Sequence, residues 1–173
     1  MADAARGMAE RLPLPDDTTA DAELAAEYAA ARKREGRVMA ILRAMGPRAE
    51  VVRAFLALTE AALYGPAALG RRERELLAVA TSRANDAEYS TEAHAALLEE
   101  LGGGPDGSER DRALVAFARR LTVTPREAGA AVADLRRHVS PDEVHDAIAV
   151  VALLNLANRA ALATGISAAD DLR

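Results

Sequence analysis

Apolar residues recur at steps of three and four along most of this chain, and no strand-length run alternates strictly between apolar and polar. The pattern predicts an all-α protein. Asp21 to Arg34 reads as a first helix, broken by Gly36. Arg37–Met45 and Pro47–Tyr64 read as two more, with Gly46-Pro47 as the stop and the start. Gly65-Pro66 ends the third, and Leu69-Gly70 leads into a helix from Arg71 that turns at Asn85-Asp86 into another. Gly102–Ser108 (GGGPDGS) reads as a flexible loop, placed to border a site mouth. A helix over Ser108–Leu121 follows. Thr124-Pro125-Arg126-Glu127 and Ser140-Pro141-Asp142-Glu143 each match a capping box, opening a helix to about Arg137 and a long one from Pro141 to Ala163 that Gly165 stops. Met1 to Thr19 is polar with Pro13 and Pro15. We expect an extended arm over residues 1–20, with Leu12 and Leu14 able to dock on a neighbour or on the domain, and one helical domain over 21–173.

Within this pattern, Arg71–Leu101 carries polar residues where a core prefers apolar ones. A helical wheel from Ala87 puts Ala87, Ser90, His94, Leu97, Leu98 and Leu101 on one face. Asp86, Glu88, Glu92, Glu99 and Glu100 fall on or near the solvated side, and Tyr89 points outward. Ser90 and His94, four apart, share the buried stripe. Upstream, Glu75 sits in the run Glu75-Leu76-Leu77-Ala78-Val79-Ala80, apolar nearly all round, so the carboxylate is expected to be buried and in need of a partner. His94 is one candidate; Arg72, Arg74 and Arg83 are others. In the last helix Asn155, Asn158 and Arg159 interrupt the apolar run 147–162.

Composition narrows the chemistry. Of 173 residues 50% are hydrophobic but only 3% aromatic, so the core must be Ala, Leu and Val, which suits closely packed helices. The net charge of −5 gives no nucleic-acid footprint. All basic residues but Lys33 are Arg, a bias that with the abundant Ala looks like a GC-rich bacterial genome. No cysteine is present, which removes disulfides, thiolate metal sites and cysteine nucleophiles together. His138 and His145 lack partners at ligand spacing, and one His with one Glu is too little for zinc or iron, so neither a metal nor a cofactor is expected. The N-terminus shows no apolar signal core, and the run Ala147–Leu154 is short against a bilayer, so a cytoplasmic protein with no membrane partner is expected.

The layout of Arg71–Leu101 resembles the alkylhydroperoxidase D-like / carboxymuconolactone decarboxylase superfamily, most of all its peroxidase-related branch. The family pattern is a Glu, about a dozen residues, a Cys-x-x-Cys, and a His four after the second Cys. Glu75 and His94 match the Glu and the His, and Asn85, Tyr89 and Ala93 fit their surroundings; the cysteine positions hold Ala87 and Ser90. Asn155, Asn158, Arg159, Leu162 and Gly165 also look like that branch, so the resemblance runs from about Arg37 to Ile166. It implies an AhpD-like fold built on a motif-bearing helical hairpin, a homo-oligomer (trimer or hexamer), and a cleft near the subunit interface that takes a small molecule. In the redox branch the two cysteines cycle while Glu and His relay protons. Without cysteines, peroxidase or disulfide-reductase activity is not expected, because a serine hydroxyl has a far higher pKa and forms no stable disulfide. The decarboxylase branch performs proton transfer on a lactone acid without thiols.

Each candidate has a plainer role beside the chemical one. His94 can be a satisfied core histidine or a general acid/base, Ser90 a small replacement for a thiol bonding its own backbone or a substrate contact. A Ser90–His94–Glu75 nucleophile would lack an oxyanion hole, because Ser90 reads as mid-helix with no free backbone N–H groups near it, which argues against a serine hydrolase. Tyr89, Asn155, Asn158 and Arg159 fit either an interface or substrate binding, with Arg159 suited to an anion. Two functions follow: a non-redox enzyme (lyase, isomerase or decarboxylase) acting on a small organic acid or biosynthetic intermediate, or a catalytically inactive binding or scaffold protein. A third is a Cys-to-Ala/Ser variant of a thiol peroxidase.

Overall fold

The computed structural model describes residues 12–172, and these form eight α-helices with no strand among them. The part of the N-terminal arm before Leu12 lies outside the described residues. The chain groups into two compact units, Ala54–Arg159 and the remainder on either side of it.

In the second of these, α1 (Ala22–Glu35) starts where the Asp21 carboxylate accepts from the Leu24 N–H at 2.9 Å, and stops at Gly36, whose φ of +75° suits glycine. The arm from Leu12 is non-helical up to a turn at 17–19, held by Asp16, whose carboxylate accepts from Thr18 and Thr19. Those hydrogen bonds, the Thr18 hydroxyl first, bring its pKa down to about 2. Leu14 is half-buried, lining a cavity with Ala40, Thr164 and Ile166, while Leu12 stays exposed. The helix expected over 37–45 is only Ala40–Ala44 (α2), because Met39 remains extended; the Asp171 carboxylate accepts from the Ala40 N–H at 2.6 Å.

The unit Ala54–Arg159 holds the motif region. α3 (Ala49–Thr59) does not run on to Tyr64 as an α-helix. It widens into a π-helical turn, Glu60–Tyr64, which ends when the Gly65 N–H bonds the Glu60 carbonyl. Then come α4 (Arg71–Ala84), α5 (Glu88–Glu100), α6 (Glu109–Val123), α7 (Ala128–Leu135) and α8 (Pro141–Thr164). α4 packs on both α5 and α6, and α6 on α7. The core joins Leu77 and Ala78 of α4, Leu114, Phe117 and Ala118 of α6, Ala131 and Leu135 of α7, and Val144, Ala147, Val150, Val151, Leu153 and Leu154 of α8. With so few rings, interhelical packing rests on aliphatic area, each buried Leu or Val contributing about 1.5–3 kcal/mol. α8 is long and apolar enough to cross a membrane by length and composition, and half of that stretch is buried inside the protein, as in a core helix.

Of the two capping boxes, the Ser140 one forms: the Glu143 carboxylate accepts from the Ser140 N–H at 2.6 Å, and Ser140 Oγ from the Glu143 N–H. The Thr124 one does not. Thr124 spends its hydroxyl on the Arg120 carbonyl of the preceding helix, and a 3-10 turn (Pro125–Glu127) precedes α7. The Ser140 box is anchored further by Arg110, which reaches Glu73 of α4, Glu143 of α8 and the His138 carbonyl.

Candidate active site in the α4–α5 hairpin

α4 is buried on most sides, so Glu75 in its second turn is fully enclosed. The chain reverses through Asn85 and Asp86. Asp86 takes the left-handed conformation (φ +54°), one that Asp and Asn tolerate among non-glycine residues, and the Ala87 N–H bonds back to the Ser82 carbonyl at 3.0 Å. This reversal lays α5 along α4 and sets His94 beside Glu75.

His94 Nδ1 and Glu75 Oε2 are 2.7 Å apart. The other carboxylate oxygen pairs with Arg71, one turn back on α4. The Arg71 guanidinium lies over the Tyr64 ring, 4.5 Å from its centroid. Burial pushes the Glu75 carboxyl up, but the His94 hydrogen bond and the His94 and Arg71 charges outweigh it, leaving its pKa below the ordinary carboxylate range. An ionised Glu75 makes Nδ1 of His94 the protonated nitrogen. Nε2, on a side chain 16% exposed, is left to exchange a proton.

Arg71 and Tyr64 were not singled out from the sequence, although the Arg71–Glu75 spacing of four is legible there. The arginines that were singled out go elsewhere. Arg72 pairs with Asp111 at 2.8 Å, and the buried Arg74 donates to the Gly65 carbonyl at 2.9 Å, holding the end of the π turn.

Ala87 and Ser90 are 2% and 5% exposed. Because α5 begins at Glu88, Ser90 stands in the first helical turn rather than mid-helix, where N–H groups lack intrahelical acceptors. No hydrogen bond joins Ser90 to His94 among the described residues, so the geometry does not assemble a serine nucleophile. Tyr89 is buried at 9% exposure, not turned outward, since the reversal at Asp86 tucks the first turn of α5 inward; Leu101, expected inward, is 39% exposed.

Asn155, Asn158 and Arg159 do not join this pair. Asn155 Oδ1 accepts from Asn85 at 3.0 Å and from Arg159 at 2.7 Å, and its Nδ2 donates to Thr122. Asn158 Oδ1 accepts from Ser82 at 3.3 Å. These residues tie α8 to the end of α4 and to the hairpin turn. A separate groove of about 620 Å3 opens between α4, α5 and α6, bordered by the loop through Gly104 and Pro105; Glu75, Ser90 and His94 do not line it. No group of His, Asp or Glu suited to a metal ion occurs among the described residues.

The carboxymuconolactone decarboxylase family model matches residues 49–107, a span that contains Glu75, Ala87, Ser90 and His94. An uncharacterised peroxidase-related protein from Ralstonia eutropha JMP134 with an alkylhydroperoxidase AhpD core is 27% identical, with a TM-score of 0.75 over 90% of each chain. A peroxidase-related protein from Silicibacter sp. TM1040 is also 27% identical, with a TM-score of 0.73 over 90% of this chain and 86% of that one. The debrominase Bmp8 shares the fold at 17% identity, with a TM-score of 0.71 over 92% of this chain and 91% of its own. No curated protein matches. The family match over the motif-bearing hairpin and the shared helical architecture make this cysteine-free chain similar in fold to the AhpD-like / carboxymuconolactone decarboxylase proteins.

Proposed function

We propose that the chain is a non-redox enzyme using His94 as general acid/base on a small organic acid or biosynthetic intermediate, in a lyase, isomerase or decarboxylase reaction. The 2.7 Å contact between Nδ1 of His94 and the enclosed Glu75 carries this reading. Glu75, kept ionised by His94 and Arg71, fixes the imidazole's tautomer, so that Nε2 can take a proton from carbon and return it elsewhere. Ser90, one turn before His94, would place substrate by hydrogen bond. The chain has no thiol to run the redox chemistry of its peroxidase-related neighbours. As in the sequence reading, we propose a homo-oligomer with a small-molecule substrate, supported by the exposed apolar stripe Ile148, Ala152 and Leu156 on α8.

The experiment is a screen of lactone acids and related small carboxylic acids with the wild type, His94→Gln and Ser90→Ala. Turnover lost in His94→Gln and reduced in Ser90→Ala, with both variants folded, supports the proposal. It fails if a substrate is turned over equally by His94→Gln. The inactive binding or scaffold reading is favoured by one observation: the 620 Å3 groove lies apart from the His94 pair. Saturable ligand binding with no turnover across the screen would select it.

A further inference from the structure

The groove between α4, α5 and α6 has a chemistry of its own. α5 and α6 both pack on α4 and barely on each other, so they splay and leave a cleft floored by α4. Its walls are Leu76, Val79, Leu98, Ala95 and Val115, a small apolar cluster separate from the main core. Leu76, Val79 and Leu98 are themselves buried, but with the half-buried Ala95 and Val115 and the exposed Val123 they give the cleft an apolar lining that the body of an apolar ligand would cover. Two exposed arginines line the cleft, Arg83 on α4 and Arg119 on α6. Arg71, Arg72, Arg74 and Arg110 are all engaged with carboxylates or carbonyls, whereas the side chains of Arg83 and Arg119 make no ion pair or hydrogen bond within the described residues. Glu99 also lines the cleft and pairs with neither of them, so the lining carries two positive charges against one negative. About 620 Å3 lies within the range of small-molecule sites.

We propose that this groove binds an amphipathic organic monocarboxylate, with its apolar body along Leu76, Val79, Leu98 and Val115 and its carboxylate at Arg83 and Arg119. Apolar burial supplies the affinity. The two guanidiniums, with planar donors matched to a carboxylate, supply the preference for an anion. The site is independent of the acid–base reading, because His94 and Glu75 do not line it.

The test is titration of the full-length protein with decanoate, followed by calorimetry and by backbone amide NMR, with decanol and acetate as controls. Decanoate should bind saturably and perturb the amides of Val79, Leu98 and Val115. Decanol, with the tail but no charge, should bind about tenfold more weakly, and acetate not at all. The Arg83→Gln/Arg119→Gln double variant should lose about tenfold in decanoate affinity with an unchanged melting temperature, since neither arginine has a partner to lose. Val123→Glu, a charge placed at an exposed lining position, should weaken binding similarly. His94→Gln should bind decanoate as the wild type does; a loss of binding there would merge this site with the proposed active site and overturn its independence. The proposal is overturned if decanoate fails to saturate, if the double arginine variant binds it undiminished, or if the perturbed amides lie away from the groove. It is equally overturned if the groove proves to be covered by a second copy of the chain, read as an oligomer that dissociates on Val123→Glu.

Discussion

Glu75 has two partners on its two oxygens, and the consequence is an asymmetry between substitutions. Glu75→Gln strips the counter-charge from both Arg71 and His94 inside the protein. It should cost roughly 2–4 kcal/mol, the low side of what breaking a buried ion pair costs, because Arg71 and His94 keep some water. His94→Asn leaves Glu75 with Arg71 and should cost less. Urea unfolding of the two variants decides the matter; equal losses would mean that Arg71 adds nothing. Asn155 and Arg159 give a second contrast. Asn155→Ala abandons Asn85 and Thr122 at partly buried positions and should cost about 1–3 kcal/mol, whereas the exposed Arg159→Ala should stay within about 0.5 kcal/mol. If Arg159→Ala instead leaves stability alone but abolishes ligand binding, the anion-contact role imagined for it from sequence returns.

Among the elements, the starts of α4, α6 and α8 converge on one guanidinium. The Arg110 hydrogen bond, then the Ser140 N–H, hold the Glu143 carboxyl at about 2. A depressed carboxyl stabilises the fold at every pH above the unfolded-state value and stops doing so as pH falls through the folded one, so this contribution drains away between about pH 5 and pH 2. Arg110→Met should therefore lower stability at pH 7 by about 2 kcal/mol and flatten the loss over that window, as followed by thermal melts across pH. An unchanged slope would place the acid sensitivity elsewhere. Ser140→Ala should cost about 1 kcal/mol, and Thr124→Ala only a few tenths, because the Thr124 side chain caps no helix N-terminus. That pair also marks how far the sequence could be read. Two identical-looking capping signals stood there, and what separated them was tertiary: Ser140 has Arg110 bracing its Glu143, while Thr124 is claimed by the turn above it. The helices of the hairpin, its turn and the partnership of Glu75 with His94 were legible because burial and spacing dictate them locally. The inward turn of Tyr89 was not, since one left-handed residue rotated the wheel. The π turn before Gly65 was equally hidden, for it depends on Arg74 reaching over from α4.

For the molecule as a whole, the open face of α8 is what assembly would use. Ile148, Ala152 and Leu156 form an exposed apolar stripe on a helix whose opposite side supplies much of the core. Leu156→Glu should leave the fold intact and reduce the mass seen by light scattering to that of an 18.2 kDa monomer. A wild type that already runs as a monomer would remove the homo-oligomer from the proposal.

The stacking of Arg71 on Tyr64 has an optical consequence. The chain contains no tryptophan and three tyrosines. Tyr28 and Tyr89 are interior, and Tyr64 is 48% exposed. An aqueous collisional quencher thus reaches one emitter, the ring beneath the guanidinium that steadies Glu75. Occupancy of the His94 site that disturbs Arg71 would register in ultraviolet emission from the unlabelled protein, a reporter already in place before any substrate is known.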